Sequence, residues 1–447
     1  MKWPDKIIKS VKLVLPSPFS IALLLTALSI VLALWLTPSK GEGPYVFHLL
    51  SYWQTGFWEL LSFTMQMALI LVLGHTLALT RLFVSITGLL VKYCTNTSKA
   101  AFMVAVLTIS LALFNWGIGL IFGAIFVRKI GEYAKANNLD INYPMVAAAG
   151  YSGLMVWHGG ISGSAPIAVT QVNHDFVDLM GVIPLSDTVF SSLNLFAIAV
   201  LLIVIPALLY VIGKKVAPQP FSLKSITMAK QSDEAATGVE KLDASKWFGT
   251  LVGGLFLFTA IITAFVLPDK ITGAFFNLNF INFTLFGLGL MLHGSIRHFI
   301  TAFEIALKGA AGIIIQFPLY AGIMGIMKYS GLISVFSGFF VSISTAETLP
   351  FFTFISAGIV NLFVPSGGGQ WAVQGPIVIE AAKAIGSPIA KNIMALAYGD
   401  QLTNMLQPFW ALPLLGITGL KAGDILPFTF LLFILGLVIF TVSLMLF

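Results

Sequence analysis

The chain has 447 residues, 58% hydrophobic and 9% charged, with a mean hydropathy of +0.96. A soluble domain carries about 25% charged residues, so this chain cannot cover a globular surface with polar groups. Cytosolic enzymes, nucleic-acid binders and disordered scaffolds are excluded, and an all-α polytopic protein in a lipid bilayer remains. The net charge of +6 is no nucleic-acid signature, because Lys and Arg sit in short stretches beside apolar spans. The single Cys94 excludes a disulfide framework and a multi-cysteine metal site, and no cofactor is expected.

Taken in chain order, Lys2, Lys6, Lys9 and Lys12 precede the apolar run Phe19–Leu36. Trp35-Leu36-Thr37-Pro38 is a poor signal-peptidase site, so a retained first helix with a cytoplasmic N-terminus is expected. A crossing helix needs about 20 apolar residues, which 19–37, 59–79, 188–213, 247–267, 281–296, 309–327 and 425–447 supply. Three longer apolar tracts, 101–127, 144–170 and 349–420, are interrupted by Gly, Pro, Asn and Ser. Cationic stretches stay cytoplasmic. By that rule 38–58, with only Lys40, is an outer stretch, and Arg81, Lys92 and Lys99 are inside.

The tract 101–127 has Lys92 and Lys99 before it and Arg128, Lys129 and Lys135 after it, so both ends belong inside. Asn115-Trp116-Gly117-Ile118-Gly119 at its midpoint predicts a re-entrant hairpin; the alternative is one long tilted helix with a basic cluster outside. Irregular backbone at membrane depth survives only when buried in protein or lining a wet cavity. From Pro144 the chain crosses to an outer loop with Asp175, Asp178 and Asp187 and returns through 188–213. The stretch 214–246, with Lys214, Lys215, Lys224, Lys230, Lys241 and Lys246, reads as a cytoplasmic linker.

Span 247–267 is then a single extra crossing, so the second half is threaded in the opposite sense. The expected organisation is a first repeat at 1–213 (hairpin 101–127, broken helix 144–170), a linker at 214–246, the extra helix at 247–267 and an inverted repeat at 268–447 (hairpin 349–386, broken helix 388–415). Asn115 matches Asn361 at an offset of 246, each five positions after an Ile-Ser pair, and Pro144 and Tyr151 match Pro388 and Tyr398 at nearly the same offset. Such inverted-topology repeats, with discontinuous helices at the midplane, are the plan of many secondary transporters. Lys328, Lys383 and Lys391 would flank the second hairpin outside, against the charge rule.

The chemistry concentrates where the tracts are interrupted. Asn115 with Gly117, and Asn361 through Pro365-Ser366-Gly367-Gly368-Gly369-Gln370, each precede a new helix. Amides there lack intrahelical partners and carry partial positive charge, which suits a carboxylate; the alternative is a tight turn without ligand. Gly153 and His158-Gly159-Gly160-Ile161-Ser162-Gly163-Ser164-Ala165-Pro166 cannot be continuous helix. Gly399-Asp400-Gln401-Leu402-Thr403-Asn404 is the matching segment in the second half. Unwound carbonyls there, with Ser162, Ser164, Asp400, Thr403 and Asn404, are candidates for a dehydrated Na⁺. Asp400 is the one carboxylate well inside an apolar span, hence a coupling candidate, against a helix-capping role beside Thr403 and Asn404. His158 suits proton transfer, whereas His75 and His293 read as core. The three arginines, Arg81, Arg128 and Arg297, read as loop residues, so no buried guanidinium is expected for a second carboxylate, and a monoanion is favoured. Trp116, Trp157, Trp371, Phe409 and Trp410 flank the polar clusters as a pocket for a short alkyl tail or as ordinary packing.

The stretch from Gly150-Tyr151-Ser152-Gly153 through Trp157-His158-Gly159-Gly160 to Ala165-Pro166, and Asn361-Leu362-Phe363-Val364-Pro365-Ser366-Gly367-Gly368-Gly369-Gln370-Trp371, closely resemble the bacterial short-chain fatty acid transporter family. The resemblance spans nearly the whole chain. It implies import of acetoacetate, butyrate and similar monocarboxylates with a coupling cation, Na⁺ or H⁺, across the inner membrane. It further implies the ion-transporter superfamily architecture: a scaffold domain, an elevator-type transport domain carrying two hairpins, and a homodimer. The Ser-Asn-Thr tips of that superfamily's dicarboxylate carriers are absent; Asn115-Trp116-Gly117 and Ser366-Gly367-Gly368 stand in their place. Other readings are a Na⁺/H⁺ or organic-anion carrier on the same scaffold, a channel, and an intramembrane serine protease using Ser162 in Gly160-Ile161-Ser162-Gly163 with His293 as base.

Overall fold

The computed structural model describes residues 18–39, 41–172, 174, 176–219, 221, 223, 238, 240–267 and 277–447. The readings on Lys2, Lys6, Lys9, Lys12, Lys40, Asp175, Lys224 and Lys230, and much of the linker 214–246, lie outside the described residues. Within hydrocarbon every backbone polar group must be satisfied internally, and a helix does this segment by segment. Accordingly the described residues are predominantly helical, with one isolated bridge between Asn142 and Gln219. Seven helical runs among them are long and apolar enough to cross a membrane: Phe19–Leu36, Leu61–Ala78, Thr97–Phe114, Ser192–Gly213, Lys246–Val266, Ile296–Ser330 and Ala422–Leu446. The chain is a multi-pass membrane protein.

Three boundaries differ from the sequence reading, each for a local reason. The stretch 38–58, expected outside the membrane, is mostly the helix Tyr45–Glu59. It docks on Ala311–Ser330 so closely that a Cβ on Gly56 would lie 2.5 Å from Gly325 Cα, the small-residue packing that lets membrane helices approach. The span expected at 281–296 is the helix Leu278–His293, ended by Gly294 at φ +77, a left-handed stop that glycine adopts without strain. The basic stretch from Arg297 to Lys308 is no loop. Ser295 caps the helix Ile296–Leu307, which buries Phe299, Ala302 and Ala306 at helical spacing. A single 3₁₀ turn, Lys308–Ala310, then leads into Ala311–Ser330.

Around Asn115 the chain forms two antiparallel helices, Thr97–Phe114 and Trp116–Ala136. Gly119 faces Ala112 and Gly123 faces Thr108, with virtual Cβ contacts of 2.8 and 2.9 Å, so the limbs need glycine on the inner face. These limbs of 18 and 21 residues are longer than the tract 101–127 implied, because the helix runs on past the apolar boundary through Arg128, Lys129 and Lys135. Arg128 is therefore mid-helix and only 6% exposed, not a loop residue. Its Nε donates to Glu132 Oε1 (2.9 Å) and its Nη1 to the Ile417 carbonyl (3.2 Å), the partners that make a buried guanidinium tolerable. Arg81 and Arg297 likewise lie within helices, Arg81–Val91 and Ile296–Leu307.

In the second half Leu349–Phe363 and Gly367–Ile385 form the corresponding pair around Val364-Pro365-Ser366. Tyr143–Tyr151 gives way to 3₁₀ turns at Ser152–Met155 and Trp157–Gly159 before the short helix Ser164–Ala168. Ile389–Thr403 ends in a 3₁₀ turn, Asn404–Leu406, before Pro408–Thr418. This second break sits later than Gly399–Asn404 suggested: residues 399–403 stay helical. Pro408 forces Gln407 into extended backbone (φ −96, ψ 131), and the glycine alone does not end the helix.

Candidate functional site

The site grows from the irregular backbone at 156–164. Gly160 and Ile161 pack on the end of Thr97–Phe114, where the Ile161 amide donates to the Leu113 carbonyl (2.9 Å). From this position the segment reaches both helix pairs. Ser162 Oγ accepts from the Trp116 amide (3.1 Å) at the first turn. At the second turn, a Cβ on Gly367 would lie 2.7 Å from His158 Nε2 and 2.9 Å from Ser164 Oγ. Only glycine fits there.

At the first turn Asn115 caps Trp116–Ala136, its Oδ1 accepting from the Gly117 (2.9 Å) and Ile118 (3.1 Å) amides. At the second, Ser366 is the cap, its Oγ accepting from the Gly369 amide (3.2 Å). Gly367 and Gly368 supply the first amides of that helix, which have no intrahelical acceptor, and Gly368 faces open space. Asn361 holds a different position from its sequence counterpart Asn115. It lies inside Leu349–Phe363, and its Nδ2 donates to Asp400 O (2.7 Å), Thr403 Oγ1 (2.9 Å) and Asn404 Oδ1 (2.9 Å). Asn361 thus ties the second hairpin to the end of Ile389–Thr403.

The centre is His158 against Asp400, both buried, with Nε2 and Oδ1 3.1 Å apart. The Ser164 amide donates to His158 Nδ1 (3.4 Å), so in the neutral ring Nε2 carries the proton and faces the carboxylate, off the hydrogen-bond direction. The capping alternative for Asp400 does not hold: Thr403 Oγ1 donates to the Gly399 and Asp400 carbonyls, and neither carboxylate oxygen has a hydrogen-bond partner among the described residues. Amide oxygens on the second hairpin share that state, as does Gln407 Oε1. Asn361 and Gln370 are oriented by their nitrogens, Gln370 Nε2 donating to Ala357 O (2.9 Å) and Gln374 Oε1 (2.8 Å), which leaves Asn361 Oδ1 and Gln370 Oε1 as buried acceptors without donors among the described residues. Buried carboxylate and amide oxygens of this kind are matched by a proton or a small cation.

Of the five residues expected around Na⁺, the structure brings Asp400 and Ser164 to His158 and places Thr403 and Asn404 against Asn361, while Ser162 belongs to the first turn. Among the described residues no three His, Cys, Asp or Glu side chains gather as a metal site. The amides were missed from sequence. Gln401 Oε1 accepts from the His158 amide (3.0 Å), Gln407 Nε2 donates to the Asn361 carbonyl, and Tyr151 donates its hydroxyl to Asn404 O (2.8 Å). Their signal was present as glutamines inside apolar tracts, where an unpaired amide is costly. His75 is buried, and His293 Nε2 lies 3.0 Å from the Thr76 carbonyl. Ser162 sits at the Trp116 amide and His293 at the Thr76 carbonyl, and no hydrogen bond joins the two among the described residues. Of the flanking aromatics, Trp116, Trp157 and Trp410 meet, whereas Trp371 packs on Phe176.

Residues 2–447 match the family model described as "Short chain fatty acid transporter". A protein of Escherichia coli (strain K12) named "Putative short-chain fatty acid transporter" is 36% identical over 442 residues, covering 97% of this chain and 96% of that protein. A protein of Haemophilus influenzae with the same name is 34% identical, covering 96% of each. Among solved structures, the YdaH transporter of Alcanivorax borkumensis aligns over 96% of this chain and 98% of its own, at 14% identity and TM-score 0.45. MtrF of Neisseria gonorrhoeae aligns over 97% of each, at 15% identity and TM-score 0.42. Both likenesses are too loose to transfer a site.

Proposed function

The chain belongs to the short chain fatty acid transporter family, and from that premise we propose that it is a secondary transporter importing short-chain monocarboxylates, butyrate and acetoacetate among them, across the inner membrane with a coupling cation. One observation carries the reading: the broken segment around His158 touches both helix starts while its imidazole faces Asp400. The Gly367 and Gly368 amides, the Ser366 hydroxyl and the Asn115 side-chain amide are the carboxylate donors; the Gly117 and Gly369 amides, held by the Asn115 and Ser366 caps, shape the two turns, and Asn361 braces the second. Asp400 and His158, with Ser162, Ser164, Thr403 and Asn404 around them, handle Na⁺ or a proton.

In this mechanism the cation neutralises Asp400 before the substrate arrives, because burying two anions together without a counter-charge is prohibitive. The helix starts then hold the carboxylate through backbone N–H groups and their partial positive charge. Two inverted repeats, an elevator movement of the two hairpins against a scaffold, and a homodimer are part of the proposal.

Purified protein in proteoliposomes tests it through uptake of labelled butyrate under an imposed Na⁺ or H⁺ gradient. We expect saturable accumulation with one of the two gradients and counterflow without either. Non-saturating flux, or no uptake with both, would overturn the reading. Ser162→Ala separates it from proteolysis, since a protease would lose a cleavage product and a carrier would lose uptake.

A further inference from the structure

Three tryptophans from three separate elements meet beside the first helix start. Trp116 opens Trp116–Ala136, Trp157 sits in the 3₁₀ turn before His158, and Trp410 lies in the first turn of Pro408–Thr418. Their ring centroids are 5.8 Å (116–157), 5.2 Å (116–410) and 6.3 Å (157–410) apart. The Trp157 ring also lies 3.6 Å from that of His158, so the cluster adjoins the Asp400 centre. Trp157 and Trp410 are each 3% exposed, and the indole Nε1 of each has no hydrogen-bond partner among the described residues. Buried indole N–H groups are normally paired.

An indole N–H only donates, so the missing partner is an acceptor. This is the opposite polarity from Asp400, Asn361 and Gln370, whose unpartnered atoms are acceptors. The Trp157 indole lies on one side of His158 and the Asp400 carboxylate faces its Nε2. We propose that Trp157 and Trp410 form the carboxylate subsite, their indole N–H groups donating to the oxygens of a small monocarboxylate whose alkyl tail lies along the tryptophan rings. The proposal rests on the carrier reading above and moves the principal anion contact from the glycine amides to the indoles. Two neutral donors suit one carboxylate. Arg128, the buried arginine, lies twelve positions after Trp116 in the same helix, about 18 Å away, and is engaged by Glu132 and the Ile417 carbonyl.

The test uses the full chain in proteoliposomes, with Trp157→Phe, Trp410→Phe and the double variant, which keep an aromatic ring and lose the donor. Trp371→Phe, in the separate contact with Phe176, is the control. We expect the half-saturation of butyrate counterflow to rise about tenfold per variant, the scale of a lost hydrogen bond to a charged group, with Trp371→Phe unchanged. Wild-type protein read by resonance Raman should show its N–H-sensitive indole band shift on adding butyrate and not on adding butylamine; this needs no variant to fold. Unchanged half-saturation in the double variant, a fall confined to maximal rate, or an unmoved indole band would overturn the subsite. Absence of any short-chain carboxylate counterflow in wild type would instead sink the carrier reading itself.

Discussion

At Gly367 and Gly368 adjacent glycines of one motif meet opposite environments. A Cβ on Gly367 collides with His158 Nε2 at 2.7 Å, whereas none of the surrounding atoms comes within 4 Å of a Cβ on Gly368. Alanine in a helix is favoured over glycine by about 1 kcal/mol, so sterics alone separate the two. We expect Gly367→Ala to lower butyrate uptake about tenfold or more, and by far more than Gly368→Ala, at equal expression; equal losses would remove the close contact with His158 from the mechanism. Asp400 yields a second prediction. Asp400→Asn keeps size and hydrogen-bonding capacity and removes the titratable charge, while the Asp400 carbonyl that Asn361 grips is retained. Gradient-driven accumulation should disappear with exchange of labelled butyrate preserved. Wild-type accumulation under either gradient would move coupling to His158 or to the carbonyls around Ser162.

The helix pair around Asn115 makes a claim about sidedness. Antiparallel limbs place Thr97 and Ala136 at the same end, and the longer limb of 21 residues spans about 32 Å, close to the thickness of the hydrocarbon core. A hairpin of that depth reaches much further than the tract 101–127 implied. The native chain is a ready background for labelling. Its one cysteine, Cys94, is buried, and burial pushes its thiol up to about 12, so little thiolate exists at neutral pH to react. Maleimide should leave the wild type unmodified, and cysteines placed at the exposed Lys99 and Lys135 should both react from the cytoplasmic face. Labelling from opposite faces would break the re-entrant reading and the inverted-repeat proposal with it.

For the whole molecule the question is which anions it accepts. The buried Arg128 is committed to Glu132 and the Ile417 carbonyl, so a second carboxylate on a substrate would enter the membrane interior without a cationic partner. Leaving a charge unpaired in a buried site costs several kcal/mol, about a hundredfold or more in affinity. Butyrate and acetoacetate should therefore compete with labelled butyrate at concentrations about a hundredfold below those of succinate or citrate. Competition by succinate at butyrate-like concentrations would show a second anion site and defeat the monocarboxylate proposal.

Composition settled the membrane class, because 9% charged residues cannot solvate a globular surface. Local backbone chemistry located the interruptions at Asn115, at Pro365–Gly369 and at Gly159-Gly160, since glycine and proline act over a few residues, whereas the break expected at Gly399–Asn404 falls later, at Asn404–Gln407. Sequence failed where packing over long separations decides. Arg128 and the 297–308 stretch carry charge and read as loops, yet Arg128 is itself buried within its helix and the 297–308 stretch lies on a helix with one buried face. His158 meets Gln401 from 243 positions away, and Asn361 finds Asp400, Thr403 and Asn404 across two helices. No local rule ranks one buried amide or indole above another. Only the tertiary arrangement decides which donors and acceptors face each other and which are left for a ligand, because in a low-dielectric interior pairing depends on three-dimensional proximity.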